Sequence, residues 1–75
     1  RMAVAEQVKT IDPRLTIHDF RIVPGPTHTN LIFDTVVPYD VKLPHDQVQK
    51  RIGELVRQMD GNYFAVVQID NSYVL

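Results

Sequence analysis

The chain has no cysteine, so neither a disulfide framework nor a thiolate zinc site can staple it. It has almost no net charge, −1 at pH 7, and no run of Lys or Arg. The clustered cations that a phosphate backbone requires are therefore missing, which argues against nucleic-acid binding. No apolar run approaches the roughly 20 residues needed to span a bilayer, and no signal-peptide pattern is present. Glycine is scarce, three residues, and those outside the long helical segment are turn residues. There is thus no glycine-rich phosphate loop, and no serine elbow or acid pair of defined geometry accompanies it, so an enzyme is not expected. The 75 residues make one small domain spanning residues 1–75. A chain of this size buries only about 60 to 65% of its unfolded surface, so a second layer or a partner chain often completes the core. It opens Arg1-Met2 in a helix-like pattern, as a piece cut from a longer protein would, or a tag remnant.

What is present is ordered periodicity. Val4, Val8 and Ile11 make one apolar helical stripe over Met2 to Ile11, stopped by Asp12-Pro13. Leu15 to Val23 and Thr27 to Val37 are rich in β-branched and aromatic types and flank Pro24-Gly25-Pro26, which predicts an antiparallel hairpin. From Pro44 to Asp60 the residues Val48, Ile52, Leu55, Val56 and Met59 form an apolar helical face. Pro44 suits a first-turn position, Asp46 complements the helix dipole, and Asp60-Gly61-Asn62 predicts a left-handed stop. Gly53, inside the helix, is expected to mark a close approach to the first helix. Tyr63 to Asp70 reads as a third strand. The order is α-β-β-α-β. It predicts an α+β two-layer sandwich, a three-stranded mixed sheet with the last strand parallel to the second and both helices on one face.

Alternation along the strands predicts what the uncovered face carries. In the second strand Leu31, Phe33, Thr35 and Val37 oppose Asn30, Ile32, Asp34 and Val36; in the third, Tyr63, Ala65, Val67 and Ile69 oppose Phe64, Val66, Gln68 and Asp70. The sets holding the polar groups are expected on the open face. In the first strand Leu15 and Ile17 face the helices, leaving Thr16, His18, Phe20 and Ile22 outside. That phase also turns Asp19 and Arg21 toward the helices, so either a bulge shifts it near His18 or the strand outruns the helical layer. His18, Asp34, Gln68 and Asp70 then share a face with Ile32, Val36, Phe64 and Val66. Imidazole and carboxylate suit zinc and harder divalent ions. An uncovered apolar sheet face suits a two-fold homodimer.

Each of these groups also has a plainer role open to it. His18 can be an ordinary strand histidine, His28 a solvated loop residue after the turn, and His45 a capping or surface residue in the first helical turn. Asp70-Asn71-Ser72 can simply end the strand. Asp34 is the hardest to dismiss, since a carboxylate in mid-strand needs solvent or a partner. Phe20 and Phe64 could stack bases, but nothing near them would hold phosphates.

The segment "IHDFRIVPGPTHTNLIFDTVVP", with the long helix and "NYFAVVQID", resembles the C-terminal cytoplasmic domain of cation diffusion facilitator transporters. The resemblance implies a ferredoxin-like, metallochaperone-like domain on the cytoplasmic side of a membrane, soluble by itself and attached to a transmembrane domain of the same chain. It also implies a homodimer in which divalent cations at the interface favour transport, zinc foremost and manganese or iron(II) as alternatives. His18 falls on the family's His-Asp-hydrophobic-Arg motif and Asp70 on its closing acidic ligand. Asp34, Gln68 and Gln49 stand where zinc members have histidine. The candidate metal ligands are therefore His18, Asp34 and Asp70, with Gln68 and His45 as weaker ones, His45 replacing the lost helix ligand across the dimer. The candidate dimer residues are Ile32, Val36, Phe64 and Val66. One weaker site, a site for a harder ion, or a domain that only dimerises all stay open.

Overall fold

The structure, a computed structural model, describes residues 2–73, without the side chain of Met2. Its elements follow the order α1 Met2–Val8, β1 Thr16–Pro24, β2 Thr29–Pro38, α2 His45–Met59 and β3 Tyr63–Ser72. The sheet order is β1-β2-β3, with β1 antiparallel to β2 and β3 parallel to it. Both helices lie on one side, giving the expected α+β two-layer sandwich. β2 is central because the hairpin fixes one neighbour and the β2-α2-β3 crossover supplies the other.

The core forms where the three apolar patterns meet. Val4 and Val8 of α1, Val48, Ile52 and Val56 of α2, and Leu31, Phe33 and Val37 of β2 are buried together with Leu15. The α1 pattern outlasts its helix. After Val8 the chain tightens, with Thr10 N–H donating to Gln7 O and Ile11 N–H to Val8 O, which keeps Ile11 against the core. The Pro-Gly-Pro hairpin turn is closed by Gly25 N–H to His28 O at 2.8 Å. A Cβ at Gly25 would sit 2.9 Å from that same carbonyl, so close approach is what requires glycine there.

Three expectations about α2 are corrected. A Cβ at Gly53 would have no neighbour within 4 Å outside the helix's own backbone, so the glycine marks no close approach to α1. The helix does not stop in a left-handed residue. Asp60 is extended, its carboxylate accepts from Asn62 N–H (2.9 Å), and its carbonyl accepts from Tyr63 N–H (3.0 Å), an Asx turn that feeds β3 directly. Met59, expected in the apolar stripe, is largely exposed because the stripe has passed the core by the last turn.

β1 resolves the phase conflict. His18 pairs with Asp34, yet Arg21 pairs with Ile32, so Asp19 and Phe20 together oppose Phe33. Asp19 takes φ +56°, the one positive φ at a non-glycine among the described residues. This is a β-bulge, and it flips everything after it. Phe20, expected outside, stacks on Phe33 at 5.8 Å and joins the core. Arg21, expected toward the helices, moves to the open face beside Ile32. Ile22, expected on the open face, pairs with Leu31 on the helical side. It is 55% exposed because β1 also outruns the helices. Both remedies for the conflict operate at once.

Candidate metal and dimer face

The register lays the open face out as rows across three strands. Thr16, Val36 and Asp70 form one; His18, Asp34 and Gln68 the next; then Arg21, Ile32 and Val66; and last Val23, Asn30 and Phe64. Rows lie two residues apart, about 7 Å. The face thus has a polar end and an apolar end. Phe64 is 42% and Val66 49% exposed, large values for side chains of their kind, while Ile32 and Val36 are half-buried.

His18, Asp34, Gln68 and Asp70 therefore do come together on one face. His18 and Asp34 are direct cross-strand partners. The His18 Nε2 lies 3.2 Å from Thr16 Oγ1, and Gln68 Nε2 donates weakly to Asp70 Oδ1 at 3.4 Å. The bulge adds a residue that alternation could not place: Asp19 lines the same shallow hollow as Arg21, Asp34 and Gln68. Desolvation of Asp34, then a hydrogen bond and repulsion from Asp19 and repulsion from Asp70, push the Asp34 carboxyl above its ordinary range; Arg21 opposes them. The sequence signal for Asp19 was the phase conflict itself, two charged residues forced toward a core.

His45 is not part of this constellation. It sits in the first turn of α2, where Nε2–H donates to Asn71 Oδ1 at 2.8 Å, and Asn71 alternates with Asp70 onto the helical side of β3. Its role is to tie the start of α2 to the end of β3. Gln49 is likewise committed elsewhere, donating to Val67 O at 3.0 Å. His28 is an exposed loop residue, as expected, but its ring packs 4.8 Å from that of Phe64.

The donors on the open face have the right chemistry for a divalent ion, imidazole nitrogen and carboxylate oxygen. Among the described residues, however, no three His, Asp or Glu side chains are grouped closely enough to hold one. Within one chain the described residues do not form a closed cage. Among those residues, too, no helix is long and apolar enough to cross a membrane. Comparison of the chain with family models, curated proteins and solved structures gives no match.

Proposed function

We propose that the open sheet face is a homodimerisation surface that takes up a divalent cation between two chains, and that the domain is the cytoplasmic metal-sensing part of a cation diffusion facilitator transporter. The observation that carries this is the division of the face. Exposed Phe64 and Val66 supply apolar area to bury, and beside them Asp34 crowds against Asp19 and Asp70. Two such faces brought together concentrate negative charge, and that costs free energy unless a cation or a proton neutralises it. Asp34, His18 and Asp70, with Asp19 alongside, are the groups that would hold the ion; Gln68 is a weak neutral donor beside them. A cation bound only between chains stabilises only the associated state, so metal concentration sets the dimer population. The resemblance of the HDFR and QID segments supplies the transporter context.

A metal-independent dimerisation module of the same kind of transporter is the second reading, favoured by the want of any closed three-ligand group among the described residues of one chain. Sedimentation and calorimetry on chelator-stripped protein separate the two. With zinc or manganese added, the first expects saturable heats and a rise in dimer population, with affinity falling about tenfold or more in Asp34→Asn. Non-saturating heats for both ions reject the metal role. A dimer of equal strength with and without chelator assigns the second.

A further inference from the structure

Among the described residues β3 is an edge strand: β2 pairs with one side of it and no described strand pairs with the other. Such an edge is a template on which another chain can add a strand. Two side chains of α2 stand in the way. Gln49 Nε2 donates to Val67 O at 3.0 Å, in the middle of the edge. Two turns later Arg57 sets its guanidinium carbon 4.9 Å from the centroid of Phe64, a ring on the face opposite to α2, so the arginine passes around the strand to reach it. Gln49 to Arg57 is about 12 Å of helix, and Val67 back to Phe64 is about 10 Å of strand. The two contacts are thus spaced as antiparallel packing of α2 over β3 demands.

The chemistry of Gln49 suits this place. Its two methylenes carry a neutral N–H donor to a carbonyl that points away from β2. Asparagine is one methylene short, and glutamate brings no donor. At the other edge of the sheet, the β1 bulge and the left-handed Asp19 interrupt the even spacing an incoming strand needs.

We propose that Gln49 closes the β3 edge: its amide occupies Val67 O as the N–H of a fourth strand would, and with Arg57 it prevents sheet extension by a second copy of this chain. Self-association is thereby confined to the open face. The edge role stands without any cation, and only the last clause rests on the function proposed above.

The test uses Val66→Glu as the parent, since a carboxylate in the apolar half of the face suppresses association there. Gln49→Ala and Gln49→Asn are made in that parent and compared with it across a concentration series by sedimentation velocity and thioflavin fluorescence. The expected result is a weight-average mass rising at least about twofold with concentration in both variants, with thioflavin signal, while the parent stays constant. Variants with native circular dichroism whose mass follows the parent at every concentration overturn the proposal. A second readout needs no variant: in the wild-type chain the side-chain amide protons of Gln49 should exchange with solvent about tenfold more slowly than those of Gln47. Equal exchange overturns it too. A Val66→Glu parent that still dimerises counts against the face, not against Gln49.

Discussion

The two faces of β2 are made by one ten-residue strand, yet they obey different requirements. Toward the helices, Leu31, Phe33, Thr35 and Val37 are buried. Away from them, Asn30, Ile32, Asp34 and Val36 are half-buried at most. The inner row is paired with the helices' own apolar stripes and is complete within the chain. The outer row mixes β-branched groups with a carboxylate whose neighbours repel it. A face finished within the chain selects for packing; a face left unfinished keeps polar groups that only solvent, an ion or another chain can satisfy.

The sharpest way to break this contrast is truncation on either side. Phe33→Ala removes a fully buried ring that also stacks on Phe20, and should cost about 3 to 5 kcal/mol in urea unfolding. Val66→Ala, on the outer face, should stay within about 0.5 kcal/mol at concentrations where the chain is monomeric. Equal losses would mean that the open face is as well packed as the core.

Thr35 sharpens the same comparison from within the core. Its hydroxyl is buried with no hydrogen-bond partner, so Thr35→Val should raise stability by about 1 to 2 kcal/mol. A loss on denaturant unfolding would show that the hydroxyl finds a partner in solution. Gly53→Ala places a methyl in open space on α2 and should gain about 0.5 to 1 kcal/mol from helix propensity. No change in the thermal midpoint would count against that account.

The gentlest probe is Asp34 itself. Its folded pKa lies above its value in the unfolded chain, so the native state holds the proton more tightly. The group therefore contributes nothing adverse below its unfolded pKa, and stability falls as pH rises from there through the raised folded value. Asp34→Asn removes that decline, so the stability profiles of wild type and variant should converge at low pH and separate above about pH 4. Parallel profiles would place the carboxyl outside the influence of Asp19 and Asp70.

Much of the fold was legible because periodicity reports burial. The strict alternation of β2 and β3 assigned residues 30–37 and 63–70 to the correct faces, and the 3.6-residue repeat of α2 found Val48, Ile52 and Val56. β1 was only half legible. Its pattern broke at Asp19, and a broken pattern shows that a bulge is needed without showing which residues it rotates. Phe20 was therefore placed outside and Asp19 left without a settled face, whereas the bulge turns Phe20 to the core and Asp19 to the open side. Within the candidate site, His18, Asp34, Gln68 and Asp70 were grouped correctly by alternation alone. The contacts of His45 and Gln49 were not legible, because their partners, Asn71 and the Val67 carbonyl, lie 26 and 18 residues away and no local rule connects them.

By itself the sequence determined the order of elements, the pairing of strands around the Pro-Gly-Pro turn, and which side of the central strand faces oil and which faces water. These follow from side-chain polarity read against the 2.0 and 3.6 repeats of the backbone, which are local properties. Only the tertiary structure decided where the phase of β1 slips, which carboxylate comes to crowd Asp34, and that the Gln49 amide reaches the Val67 carbonyl. Those outcomes depend on distances between segments remote in the chain, and such distances exist only once the helices have settled on the sheet.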